Sequence, residues 1–195
     1  MDWLAHAQNI EAKITTNYRD RGRDFEDFRD NIYKPYQREQ LALTGITRTE
    51  ISQRVTLLEC YLKQVSSFNR GNWITPQSKF RPTILEEFWG YLFMGLPQIR
   101  TLGLEFFKRA VYAGIRIDKD GNIQLETRDI DFCIGKVVSA KFGQATNDLR
   151  IPIVAIECKT YLDKTMLSGA QFTAQKLKGA VPRVRALMMT ERNEV

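Results

Sequence analysis

The sequence holds a single histidine, His6, and only three cysteines, Cys60, Cys133 and Cys158, set far apart along the chain. Zinc ligation, a Ser-His-Asp triad and a Cys-His pair all need a histidine or clustered cysteines at the site, so none of them is within reach. An odd number of scattered cysteines in apolar surroundings also makes no disulfide framework and predicts reduced, mostly buried thiols. Long apolar runs are missing too. The run 151–156 spans about six residues, against roughly 18 needed to cross a bilayer, and the amino terminus shows no signal-peptide pattern. These absences predict a globular cytoplasmic protein with no membrane partner. Any catalysis it performs must use carboxylates, lysines and a metal held by oxygen ligands.

What is present is enough for one sizeable core: 195 residues, 43% of them hydrophobic. The net charge of +6 and pI near 9.3 favour a polyanionic partner, because Lys and Arg that neutralise phosphates release counterions on binding. The excess leans toward the second half, with 15 Lys and Arg against 11 Asp and Glu in residues 101–195, and 14 against 12 before them.

Residues 1–70 read as a helical amino-terminal region. Trp3, Leu4, Ala7, Ile10 and Ile14 recur at helical spacing, and Thr47 with Glu50 matches a capping box that opens a helix striped by Ile51, Val55, Leu58, Leu62 and Val65. The sign-alternating run 19–30 reads as an exposed helix or loop. The breaker-rich stretch 69–82, with Gly71, Pro76 and Pro82, marks the expected boundary, so that residues 71–195 form the second part. There Thr83 can cap a helix running to about Met94. Strands follow at 111–117 and 122–125 around Lys119-Asp120-Gly121, a strong hairpin signal, then at 129–138 and 151–159. A helix over 163–178, with Gly179 as a plausible stop, and a last strand over 184–189 complete the pattern. The order is that of an α/β fold, a mixed β-sheet flanked by helices.

In Ile156-Glu157-Cys158-Lys159 the strand period of two puts Glu157 and Lys159 on one face where an apolar run ends. The same period sets Asp131 apart from Ile130, Phe132 and Ile134. If the two strands are hairpin neighbours joined through 143–148, Asp131 can approach Glu157 closely enough to share a cation. Glu11-Ala12-Lys13 also matches acid-x-Lys, but in a helical pattern, so it is the strand context that gives the second copy its meaning.

Asp131 followed by Glu157-Cys158-Lys159 resembles the signature of the PD-(D/E)xK nucleases, with Ile130 in place of the proline, and the element order resembles their αβββαβ restriction-endonuclease-like core. Three blocks, 83–88, 128–136 and 156–166, are similar to the type II restriction endonucleases of the BbvCI kind, which cut short asymmetric sites related to CCTNAGC. The likeness covers roughly residues 80–190. It implies a Mg2+-dependent endodeoxyribonuclease acting on double-stranded DNA and leaving 5′-phosphate ends. Asp131, Glu157 and the main-chain carbonyl of Cys158 would hold the metal, and Lys159 would orient or deprotonate the attacking water, its pKa able to fall near the metal and with partial desolvation. A glutamate of the first core helix often joins such clusters. Helical angles favour Glu86, at the margin of the apolar face, over Glu87, placed well round toward solvent, although Thr83 and Glu86 also match a capping box.

Lys136, Lys141 and Lys164 flank these elements and are candidate DNA-phosphate contacts, with Thr160 and Tyr161 as hydroxyl donors. A double-strand break would need a second copy of the chain or a related subunit. Competing readings are a repair, recombination or phage nuclease with the same core, a noncatalytic DNA-binding subunit, and a structural domain with accidental motifs.

Overall fold

The structure is a computed structural model, and it describes residues 3–142 and 145–192. The chain divides into two compact units at Pro97 and Gln98. The compositional break at 69–82 therefore falls inside the first unit. Among the described residues no helix is long and apolar enough to cross a membrane.

The first unit is helical: α1 (Ala5–Thr15), α2 (Gly22–Phe28), a π-helical turn (Arg29–Tyr33), α3 (Lys34–Ala42), α4 (Arg48–Phe68) and α5 (Pro82–Phe93). The capping box opening α4 forms as expected, the Thr47 side chain accepting from the Glu50 amide while Glu50 reaches back to the Thr47 amide. Aromatic rings fill much of the interior. Phe28 stacks on Phe68 at 4.4 Å and Tyr36 on Tyr61 at 4.2 Å between centroids, contacts worth more than their buried area alone. Gly90 is needed where it stands, because an added Cβ would lie 2.0 Å from the Trp3 ring.

Two buried polar groups tie this unit together. Leu4 occupies the N-cap position of α1 and offers no side-chain acceptor, so the first amides of the helix need one from elsewhere. Glu87 of α5 supplies it. Its Oε2 accepts from the His6 and Ala7 amides, each at 3.0 Å, and its Oε1 accepts from the Tyr33 hydroxyl at 2.8 Å and the Tyr91 hydroxyl at 2.7 Å. The His6 ring is enclosed as well. Thr83 donates to the Phe80 carbonyl, so its oxygen accepts from Nδ1 of His6, which leaves Nε2 to accept from the Tyr61 hydroxyl.

Two expectations about α5 are corrected here. Thr83 does not cap the helix: α5 begins at Pro82, and the Thr83 hydroxyl is spent on Phe80 and His6. Nor does Glu87 face solvent, being 1% exposed. The angular argument assumed one apolar face, but every residue from Thr83 to Phe88 is buried, and on a helix covered all round the apolar side chains no longer mark the outside.

The second unit follows the short helix α6 (Pro97–Thr101). It contains β1 (Glu105–Phe107), β2 (Val111–Ile117), β3 (Ile123–Arg128), β4 (Phe132–Phe142), β5 (Ala145–Lys159), α7 (Lys164–Ala180) and β6 (Arg185–Thr190). The strands form one mixed sheet in the order β1-β4-β5-β2-β3, with β6 also pairing β5. β4 and β5 are antiparallel, while β6 and β2 run parallel to β5, the β5-α7-β6 crossover making the parallel pair that a hairpin cannot. Gly143 and Gln144, within the expected β4–β5 connection, lie outside the described residues. The β2–β3 hairpin turns where Asp-Gly predicted it, with Gly121 at φ +83° and Asp118 accepting from the amides of Asp120 and Asn122. Strand β1 is too short for its alternation to have signalled it, and α7 runs through Gly179 to Ala180.

One irregularity has a clear cause. The β4–β5 register shifts between Ile134 and Gly135, leaving Ile153 as the extra residue of a bulge. The Ile151 carbonyl approaches so closely that a Cβ on residue 135 would sit 2.0 Å from it. The core between sheet and α7 gathers Val111, Ala113, Ile130, Cys133, Ala155 and Leu177.

Burial holds the His6 pKa down, at about 3. Below the unfolded value of 6.5 the unfolded chain takes up a proton that the folded chain refuses until about pH 3. Stability contributed by neutral His6 is therefore lost as pH falls through that window, by about 1.4 kcal/mol per pH unit. Glu87, whose pKa burial raises, acts with the opposite sign, so the comparison must be made against a variant. Urea denaturation of His6→Gln between pH 6.5 and 4 is expected to show a shallower loss of stability toward acid than the parent. Equal slopes would contradict the assignment.

Candidate active site

The site begins at the end of the β4–β5 ladder. Phe132 pairs with Ile156, so extending the register by one residue sets Asp131 opposite Glu157, and directly opposed residues share a face. β4 starts at Phe132, so the Cys158 amide lies beyond the last backbone pair, and Oδ2 of Asp131 accepts from it at 2.8 Å. Lys159, two residues past Glu157, returns to the same face. Its Nζ lies 3.0 Å from Oε2 of Glu157 and 3.5 Å from Oδ2 of Asp131. The three residues singled out from the sequence are thus brought together. β5 is held at this end by β6: the Glu191 amide donates to the Lys159 carbonyl and the Leu162 amide to the Arg192 carbonyl.

The electrostatics match two carboxylates crowded into a partly dry place. Burial, then the neighbouring charge of Asp131, raise the Glu157 pKa against the pull of Lys159. Burial depresses the Lys159 ammonium, but Asp131 and Glu157 outweigh it and the net shift is upward. Cys133 beside the cluster is an inert thiol, its pKa pushed up by burial and by Glu157 and Asp131. Of the three cysteines only Cys60 is exposed.

Among the described residues no group of three or more His, Cys, Asp and Glu side chains is gathered to hold a metal. The oxygen donors at hand are two carboxylates and the main chain at Cys158, a hard set suited to magnesium, which keeps several waters of its own. The Lys159 ammonium between the carboxylates shows that this position favours positive charge.

The lysines are dispersed. Lys136 and Lys141 lie five and ten residues beyond Asp131 along exposed β4, roughly 15 and 30 Å away at the rise of a strand. Lys164 opens α7, immediately after Asp163, whose side chain caps the helix by accepting from the Met166 amide. Asp163 was a residue that could have been singled out, since an Asp three positions before an apolar residue at a helix start is a cap signal. Glu86 is buried on α5 of the first unit. A cavity of about 170 Å³ between α7 and the sheet is lined in part by Glu157, Ala155, Leu167 and Met188. The larger concavity, about 490 Å³ between β2 and α7, includes none of the three clustered residues.

A six-stranded mixed sheet flanked by helices, with a helical amino-terminal part, is a restriction-endonuclease-like α/β fold. The solved native BbvCI A2B2 tetramer shares it, with a TM-score of 0.59 at 18% identity over 94% of this chain and 74% of that one. Comparison with curated protein sequences finds no match. The family model of the Bpu10I restriction endonuclease matches residues 77–194, and the chain belongs to that family. It is a restriction endonuclease, a nuclease acting on DNA.

The raised Glu157 pKa means that its surroundings disfavour its charged form. With a folded pKa above the unfolded one, the contribution of Glu157 is most favourable below the unfolded value of 4.5 and is lost as pH rises through the folded value. In EDTA at pH 7, Glu157→Gln is expected to melt above the parent, the gap closing as pH falls below 4.5. A lower melting temperature at pH 7 would show that the carboxylate is not under strain.

Proposed function

We propose that the chain hydrolyses DNA phosphodiester bonds at specific sites with Mg2+, using Asp131, Glu157 and Lys159. The observation that carries this reading is the convergence of the three on one face at the end of β5, with one cation already between two carboxylates. Asp131, Glu157 and the Cys158 carbonyl would hold the metal, which when bound would polarise the phosphate and lower the pKa of a water. The Cys158 amide keeps the Asp131 carboxylate turned into the site. Lys159 would orient or deprotonate the attacking water and offset charge on the phosphate oxygens. Breaking the bond to the 3′ oxygen would leave 5′-phosphate and 3′-hydroxyl ends.

The nuclease core would comprise residues 71–195 with residues 1–70 as an accessory helical region, a division supported by the family match over 77–194. Glu86 is proposed as a further acid of the site. The protein would work in the cytoplasm, where the DNA lies. Among the described residues there is one such cluster, so a double-strand break would need a second copy or a related subunit, as in the A2B2 assembly of BbvCI.

The decisive experiment incubates the protein with mixed duplex DNA in Mg2+ and in EDTA. Discrete fragments are expected only with the metal, and their absence would overturn the reading. Asp131→Ala, Glu157→Ala and Lys159→Ala are each expected to lower the rate by about a thousandfold or more, with double variants scarcely worse than singles because the groups act as one unit. Glu86→Gln is expected to slow cleavage as well. A single variant of the three clustered residues cutting at the parental rate would remove that residue from the site.

Binding should weaken steeply with salt, the slope reporting the number of phosphates neutralised. Lys136→Ala, Lys141→Ala and Lys164→Ala are each expected to reduce that slope by about one and to weaken binding to all sequences alike. Titrations by fluorescence anisotropy at several salt concentrations would check this, and an unchanged slope would dismiss the lysine concerned.

A further inference from the structure

Helix α7 buries remarkably little of itself. Of its 17 residues only Leu177 is fully buried. At about 100° per residue, Lys164, Ser168, Gln171 and Gln175 fall within about 60° of one another on the side away from Leu177, and all four are exposed. Lys178 is exposed one turn further on, about 21 Å along the axis from Lys164 at 1.5 Å per residue. The helix contains three lysines and no acid. A face that only solvates a helix usually mixes both signs of charge; this one presents neutral amides and a hydroxyl between cations. Among the described residues the side-chain amides of Gln171 and Gln175 have no hydrogen-bond partner in the chain, whereas the Ser168 hydroxyl donates to the Lys164 carbonyl.

The position of the helix adds to its composition. Its cap, Asp163, follows Lys159 by four residues, so a helix that starts beside the clustered carboxylates runs away from them for about 25 Å. The major groove of B-DNA admits an α-helix, and Gln pairs there in two-point fashion with the N6 and N7 edge of adenine. Lysines at both ends of such a helix would meet the phosphates bordering the groove.

We infer that the exposed face of α7 reads base edges in the major groove, with Gln171 and Gln175 as specificity-determining residues and Lys164 and Lys178 as phosphate anchors. This rests on the chain acting on duplex DNA and deepens that reading by placing sequence recognition on one helix.

The test separates recognition from cleavage. The chain carrying Glu157→Ala is used, in EDTA, to select bound sequences from a random duplex library, which are then sequenced. The same selection is run with Gln171→Ala and Gln175→Ala added, singly and together. The parent is expected to select a motif containing adenine, and each added change to reduce the preference for it at one position by about tenfold. Lys164→Ala and Lys178→Ala should weaken binding to every sequence equally. An unchanged motif in the double glutamine variant would overturn the inference, as would a parent with no preference. So would an unchanged motif accompanied by a smaller species on size-exclusion chromatography, which would make α7 a protein interface. If the chain with Glu157 restored fails to cut its own selected motif in Mg2+, the proposed cleavage falls while the reading role of α7 stands.

Discussion

The pairing of Phe132 with Ile156 decides which side chains meet at the end of β5. An antiparallel ladder sets opposed residues on one face, and a slip of one residue would turn Asp131 and Glu157 to opposite sides of the sheet. The register is defended by what lies behind it. Phe132, Cys133, Ile134, Ala155 and Ile156 are all buried, so a slip would force side chains of different size to exchange faces in a close-packed interior. Further along, Gly135 admits the Ile151 carbonyl where a side chain could not fit, and the resulting bulge absorbs the extra residue without disturbing the end of the ladder. The apolar pattern and one glycine thus hold two carboxylates together, against their mutual repulsion.

That repulsion is the cost of the arrangement. Glu157 has its pKa raised by burial and by Asp131, while Lys159 has its own raised by both acids. The cluster is a small electrostatic compromise in which an ammonium partly offsets a pair of anions. The carboxylates are held in place by the backbone and by the Cys158 amide. The site is pre-organised by strand geometry, and little side-chain ordering remains to be done when charge arrives.

Much of the second unit was legible in the sequence because its signals are local. Asp-Gly marks the β2–β3 turn, the apolar run into Glu157 marks β5, and the period of two predicts which residues meet at its end. The carboxylate cluster follows from these with one added assumption, the hairpin pairing of β4 with β5, and the likeness read over residues 80–190 agrees with the family match over 77–194. β1 escaped notice because three residues carry no readable alternation. The bulge at Gly135 was hidden for a different reason: it depends on the Ile151 carbonyl, supplied by the neighbouring strand.

Glu86 and Glu87 make the limit of periodicity plain. An angular reading ranks them by distance from an apolar stripe, and that ranking has meaning only where one side of the helix meets water. On α5 no side does over the first turns, so the question becomes which donors each acid can find. Glu87 meets four: two amides at the start of α1, which has no cap of its own, and two tyrosine hydroxyls. A carboxylate so fully used has little capacity left for a metal or a water, since its two oxygens already serve the fold. Glu87 is therefore a structural member, spent on joining the start of α1 to α5 and the two tyrosines.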